Sequence, residues 1–312
     1  MNWITRLIKI GDKIKTNFKK KMATKAEQLK SPYMSCHGQP ILKKIIKENN
    51  YVCPECNEHH KLEPHQYYDD IFFGKGNYEE IKSPIPFEDV LGWKDTKKYT
   101  DRLATAKKLS GLECGILSVK GKLKDIDVVM SCQSWSFIAG SISMPEGENI
   151  LTAVERCLTE KLPYIFIAKS SGMRMMTNNL SLSQMPRMAL AINELKKAKL
   201  PFICIVTSPT TGGTSASIVP LADVIIAESK KAIYGFAGKR IVANTENKPL
   251  NDDFQTAEWA QENGQIDIIL DRKDLKNKIY KLLSILLKKK SEVNLDLPNE
   301  TSEPNIQTRE AS

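Results

Sequence analysis

The sequence has no histidine after His65, no run of roughly 18 apolar residues, and no even, regularly spaced set of cysteines. Each absence closes a route. Without a long apolar run there is no candidate transmembrane helix. Without a histidine in the body of the chain, a Ser-His-Asp hydrolase is excluded there, although Ser170, Ser171, Ser215 and Ser217 are present. The seven cysteines are odd in number and do not read as a disulfide framework. Four of them, Cys114, Cys132, Cys157 and Cys204, lie in apolar strand-like or helical segments and read as buried small hydrophobes. The opening Met1-Asn2-Trp3-Ile4-Thr5-Arg6 is too polar for a secretory signal, so a cytoplasmic setting is expected.

What is present describes an aliphatic-rich α/β protein: 312 residues, 41% hydrophobic but 7% aromatic. The net charge of +9 is unevenly spread. Residues 1–30 hold nine Lys/Arg against Asp12 and Glu27, whereas residues 291–312 hold five acids against Arg309. Within the basic arm, Ile4, Leu7, Ile8, Ile10, Ile14 and Phe18 recur at roughly helical spacing. The arm reads as a solvated or partner-facing segment, with contact to a membrane surface or to nucleic acid as the alternative.

Four regions follow: the basic arm at 1–30, a Cys/His-rich module at 31–66, a main domain at 67–290, and a polar tail from 291 to 312 that reads as disordered. All four histidines, His37, His59, His60 and His65, fall in the module. In the main domain, short β-branched runs at 114–120, 126–132, 163–168, 201–207, 222–227 and 266–270 predict buried strands. Helical patterns at 147–160, 179–199, 254–263 and 272–288 lie between several of them, which argues for an α/β fold with covered sheets.

Three loops at strand ends are rich in small residues: Lys169-Ser170-Ser171-Gly172-Met173-Arg174-Met175-Met176, Ser208-Pro209-Thr210-Thr211-Gly212-Gly213-Thr214-Ser215-Ala216-Ser217, and Tyr234-Gly235-Phe236-Ala237-Gly238-Lys239-Arg240. Such loops can aim unpaired N–H groups at an anion, or at an oxygen that gains charge during a reaction. A glycine pair also serves as simple turn punctuation, so each loop alone decides little. With no core histidine, any catalysis must rest on backbone donors, helix ends and positioning.

Taken in order, these loops resemble the β subunits of bacterial acetyl-CoA carboxylase carboxyltransferases. The matching text is Asp95-Thr96-Lys97-Lys98-Tyr99-Thr100-Asp101-Arg102-Leu103, Phe137-Ile138-Ala139-Gly140-Ser141, Ser170-Ser171-Gly172-Met173-Arg174-Met175, Pro209-Thr210-Thr211-Gly212-Gly213, Gly235-Phe236-Ala237-Gly238 and Gly264-Gln265-Ile266-Asp267. The resemblance covers roughly residues 1–288. It implies a crotonase-like spiral of β-β-α units with two nearly perpendicular sheets, preceded by a zinc ribbon. It also implies transfer of a carboxyl group from carboxybiotin to acetyl-CoA, giving malonyl-CoA for fatty-acid synthesis. Activity would require a carboxyltransferase α subunit, and the wider enzyme adds biotin carboxyl carrier protein, biotin carboxylase and ATP.

Carried over residue by residue, Ser171 and Gly172 stand at the family's oxyanion pair, and Gly212 and Gly213 match without change. Gly140, Ser141 and Gly147 fall on the glycine-rich stretch near the acyl-CoA, and Gly235 and Gly238 on the third loop. Arg174 either binds substrate or holds the loop, the latter being favoured because a guanidinium is a poor proton carrier. The departures are Ser171 for Gly, Met173 for Ala, Ala139 and Ser143 for Gly, and Asp253 for Gly, with Pro145 fixing a turn nearby.

The family's ribbon reads C-x2-C, fifteen residues, C-x2-C. Here the second half is intact as Cys53-Pro54-Glu55-Cys56, but register puts Met34 and His37 at the first pair, with Cys36 one residue off. A zinc site from Cys36 or His37 with Cys53 and Cys56, completed by His59 or His60, is one outcome. A metal-free relic packed on Ile41, Leu42, Ile45, Ile46, Tyr51 and Val52 is the other. Two further functions compete: a non-catalytic paralogue that binds a partner or nucleic acid, and a hydratase or isomerase, disfavoured because the loops offer no acid/base pair.

Overall fold

The computed structural model describes residues 32–246 and 250–288. The basic arm and the acidic tail therefore lie outside the described residues.

The chain begins with a hairpin of β1 (Tyr33–Cys36) and β2 (Gln39–Leu42), turned by Gly38 and closed by α1 (Lys43–Glu48). Next, Glu63 and Gln66 form a capping box that starts a short helical stretch. It continues as a π-helical turn, Tyr67–Phe72, which buries Tyr67, Tyr68, Ile71 and Phe72. After β3 (Tyr78–Glu80) comes α2 (Tyr99–Ser110), which is not among the helices expected from the sequence pattern. Asp95 explains why a helix forms there. It accepts from the Lys97 N–H at 2.9 Å and from Arg102 at 2.5 and 2.7 Å, tying the entry to the first turn. Gly111, with φ of +73°, ends the helix.

The main sheet then builds from β4 (Ile116–Leu123), β5 (Ile126–Gln133), β6 (Tyr164–Ser170), β7 (Phe202–Thr211), β8 (Val224–Glu228), the short β9 (Tyr234–Gly235) and β10 (Ile268–Leu270). The order is β10-β8-β7-β6-β5-β4-β3, parallel from β5 to β10 and antiparallel at the β3–β5 end. The six predicted strands all form. The short β9 pairs with the end of β7 within the same eight-stranded sheet, and isolated bridges, such as Ile142 with Met173, add pairing at that end.

Helices α3 (Met144–Glu160), α4 (Gln184–Lys197) and α5 (Ala257–Glu262) cover one face of the sheet, and α6 (Arg272–Leu286) covers the other. Periodicity sets this arrangement. Met188, Ile192 and Leu195 form the buried stripe of α4, and Leu275, Ile279 and Leu283 that of α6. Truncating one such side chain, Ile279→Ala for example, costs about 2–5 kcal/mol. Pro145 is the second residue of α3, where its missing N–H is harmless, and Ser143 with Glu146 forms a capping box. Cys132, Cys157 and Cys204 are fully buried and Cys114 nearly so, as the sequence predicts.

Polar side chains join the N-terminal module to the sheet. Arg272 donates to the carbonyls of Asn50, Tyr51 and His60 at 3.0–3.2 Å and pairs with buried Glu228. Glu228 also accepts from Tyr67 at 2.5 Å and lies 3.3 Å from His59. Glu63 accepts from Ser134 and Ser136 at 2.5 and 2.8 Å, just before the loop that follows β5.

Candidate active site

Three loops meet at one end of the sheet. After β5, Ile138, Ala139 and Gly140 take consecutive left-handed conformations, with φ of +45°, +53° and +63°. That run is costly for Ile138, and Gly140 is obligatory: a Cβ there would sit 2.0 Å from the Lys169 carbonyl. After β6, Gly172 has φ of +107°, and after β7, Gly212 has φ of +67°. A Cβ on either would come within 2.9 Å of the other loop's backbone, so the two loops touch main chain to main chain. Thr214 Oγ1 donates to Ser170 Oγ at 2.8 Å across this contact, and Ile142 N–H donates to Gly172 O at 2.9 Å, tying in the segment after β5.

The N–H groups of these loops divide in two. Ser171 donates to the Ala139 carbonyl at 3.0 Å, and Gly172 to Ser170 Oγ at 3.0 Å. Both members of the pair singled out from sequence are thus engaged. The N–H groups of Ala139, Met173 and Gly213 find no acceptor among the described residues. Open donors thus lie one residue beyond Gly172, at Gly213 and on the loop of Gly140, and the N–H groups of Ile138, Thr214 and Ser215 are likewise without an acceptor among the described residues. The positive φ at Gly172 reverses the chain there, so successive N–H groups of this loop face different ways. Met173 also covers Gly213: a Cβ on Gly213 would lie 2.6 Å from Met173 Cγ and 3.4 Å from Met185 Sδ.

Arg174 lies behind this surface, 1% exposed. Its guanidinium pairs with Glu88 and Glu146, the latter at 2.6 Å, and donates to the Ser141 carbonyl at 2.7 Å. Tyr99 bonds Glu88 at 2.6 Å and lies 3.1 Å from Arg174. Burial pushes the Glu88 carboxyl up, against the pull of Arg174. Glu146 is shared further, with the N–H groups of Gly115 and Ser143 at 2.7 and 2.8 Å. This cluster locks the first two loops and α3 to the segment before α2. The resemblance to Asp95–Leu103 thus marks, through Tyr99, part of the support for the site.

The remaining predicted residues are placed separately. Gly147 is inside α3 and admits Gln184 of α4, whose Oε1 would be 2.2 Å from a Cβ; it is a helix-packing position. Gly235 packs on Gln255 and lines a cleft of about 570 Å3 with Ser215, Phe236 and Trp259. Gly238 stands in open space.

In the N-terminal module, one ligand atom each from Cys36, His37, Cys53 and Cys56 lies within 4.8 Å of all the others. Cys36 and Cys56 have their sulfurs 3.5 Å apart. A tetrahedral zinc with bonds of about 2.3 Å needs ligand sulfurs about 3.8 Å apart, so the set fits such an ion. Burial raises the Cys36 thiol to about 12. Cys53 is also raised by burial, but the N–H groups of Cys56 and Glu55 pull it to about 7. His37 Nε2 lies 3.0 Å from Glu55, the carboxylate–imidazole arrangement that orients ligating histidines. Sequence leaves Cys36 and His37 as alternatives; the fold brings both to the cluster. His59 instead lies 3.3 Å from Glu228 and 3.5 Å from Asp271. Of the packing residues expected for a relic, Leu42 and Ile45 are exposed.

The fold and the converging glycine loops define an α/β carboxyl transferase domain, and residues 96–311 match the family described as the carboxyl transferase domain. Solved structures show the same fold. A transcarboxylase 12S chain has a TM-score of 0.59 at 20% identity, covering 78% of this chain and 43% of its own. A Pseudomonas malonate decarboxylase MdcD-MdcE hetero-dimer gives 0.54 at 16% identity, covering 72% of this chain and 86% of its own. Curated relatives narrow the class. The acetyl-coenzyme A carboxylase carboxyl transferase subunit beta of Pelagibacter ubique is 45% identical over 97% of both chains. That of Sinorhizobium medicae is 36% identical over 93% of both. The chain belongs to the family of acetyl-CoA carboxylase carboxyl transferase β subunits. None of these descriptions mentions nucleotide binding, so the ATP expected of the wider enzyme has no support on this chain.

Proposed function

We propose that the chain transfers a carboxyl group from biotin, carried on a biotin carboxyl carrier protein, to acetyl-CoA, and that it does so with a carboxyltransferase α subunit. The observation that carries this reading is the meeting of three loops whose free donors are main-chain N–H groups, with the adjacent Arg174 committed to ion pairs and hydrogen bonds inside the protein. In the reaction a ureido N–C bond breaks and a C–C bond forms at the acetyl α-carbon. The α-proton ends on the ureido nitrogen. Negative charge develops on the thioester oxygen, and preformed N–H donors about 3 Å away suit that charge. Ala139, Met173 and Gly213 supply such donors, and the Arg174 cluster keeps them in place.

Exposed apolar side chains support docking of a partner beside the loops. Met175, Leu182 and Leu190 follow the loop after β6, Phe236 and Ile241 follow β9, and each is at least half exposed. Cys36, His37, Cys53 and Cys56 would hold a zinc ion, which would supply structural cross-linking to the small module. Among the described residues no helix is long and apolar enough to cross a membrane, and we place the complex in the cytoplasm. The test is carboxylation of acetyl-CoA by the chain co-expressed with its α partner. Substituting Gly213→Val, which drives a side chain into Met173, should abolish it while assembly persists. Undiminished turnover in that variant would overturn the assignment of these loops.

A further inference from the structure

Across the sheet from the glycine loops, a cavity of about 200 Å3 opens between the N-terminal module and the ends of β6, β7 and β8. Its walls include His60, Lys61, Lys169, Thr207, Lys231 and Arg272. Strand alternation puts Lys169 there. Phe166 and Ala168 face α3, Ile165 and Ile167 face α6, and Lys169 continues the second set.

Lys169 is 2% exposed, and its Nζ has one hydrogen bond, to the Leu62 carbonyl at 2.8 Å. It forms no ion pair among the described residues. Glu228, on the same wall, is already held by Arg272, Tyr67 and His59. An ammonium this deeply buried is rarely left without an anionic partner, because the cost of desolvation is large. The rest of the wall has the same bias. His60 Nε2 and Arg272 Nε are buried without a hydrogen-bond partner. Four cations, Lys61, Lys169, Lys231 and Arg272, face two carboxylates, Glu58 and Glu228. Burial draws the Lys169 pKa down and Glu228 partly restores it, so a bound anion would favour the charged form.

We propose that this cavity binds a small oxyanion of the phosphate class, with Lys169 as its principal partner and Lys231 and His60 completing the shell. A phosphate dianion matches the excess of two positive charges, and it fits the volume. The group could arrive as inorganic phosphate or as a phosphate of the CoA substrate; only the second source rests on the proposed reaction.

The test is thermal unfolding of the full chain, titrated with inorganic phosphate against chloride at equal ionic strength. Wild type should show a saturable rise in midpoint. Lys169→Met should weaken phosphate affinity at least 10-fold, and Lys231→Ala, at an exposed rim position, severalfold. CoA that competes with phosphate identifies the substrate as the source, and CoA that binds without competing identifies the free ion. Absence of a saturable phosphate effect in wild type overturns the proposal, as does equal affinity in wild type and variants. Should Lys169→Met fail to fold, unchanged affinity in Lys231→Ala is sufficient to reject it.

Discussion

Lys169 and Arg174 are two buried cations on one strand–loop segment, and the protein treats them in opposite ways. Arg174 has two carboxylates, a phenol and a carbonyl around a planar group that can use them all. Lys169 has one carbonyl. The first arrangement is closed and holds the geometry of its neighbours, while the second is open and faces a cavity. Burial alone therefore does not separate a structural charge from a binding one; the completeness of its partners does.

The sharpest way to break this contrast is to remove Arg174. Arg174→Met leaves Glu88 and Glu146 buried without their counter-charge and should destabilise the chain by about 3–5 kcal/mol, read from denaturant unfolding. A loss under about 1 kcal/mol would show the cluster is not structural. The thiol cluster should come next. Cys53→Ser with Cys56→Ser should abolish stoichiometric zinc, measured by metal analysis, and reduce assembly with the α partner severalfold. Normal assembly without metal would favour the relic module.

A smaller effect is expected at the loop itself. Met173 crowds Gly213, and an error of about 1 Å in donor placement can cost on the order of 100-fold in rate. Ser171→Gly with Met173→Ala should therefore raise kcat about 10-fold in the assembled enzyme. Unchanged kcat would mean Met173 is harmless. The mildest effect is on pH. Burial raises Glu228, but Arg272, His59 and Tyr67 outweigh it, so its carboxyl is held below the ordinary range. Its stabilising contribution is full above the unfolded value of about 4.3 and is lost as pH falls through the lower folded value. Unfolding measured from about pH 6 downward should show that loss. Glu228→Gln should remove that portion of the acid dependence, and identical profiles would contradict it.

Much of this was legible from pattern. Period-two and period-3.6 apolar spacing located the strands and helices of the main domain, since burial against a sheet leaves a direct mark on residue order. Helix α2 was not visible because its entry depends on Asp95 and Arg102 and its buried side chains are few. The loop glycines were readable as loops. Their free donors were not, because N–H direction depends on φ at Gly172 and Gly212 rather than on residue type. The Cys36–His37 pair could not be resolved from spacing, since the turn at His37, with φ of +43°, brings both side chains to Cys53 and Cys56. Lys169 gave no sequence signal at all: its burial depends on Leu62, distant in the chain.

The central claim, that main-chain donors in these loops support carboxyl transfer only in an assembled pair, is tested most directly by one assay. Malonyl-CoA formation from carboxybiotin and acetyl-CoA would be measured for the purified chain, for the α partner, and for the two together. Charge develops on the thioester oxygen and on the ureido oxygen of biotin as its N–C bond breaks, and loss of one donor alone typically costs about 3–4 kcal/mol. Turnover is expected only in the combined sample. Robust malonyl-CoA formation by the chain alone, or none from a fully assembled complex, would contradict the account.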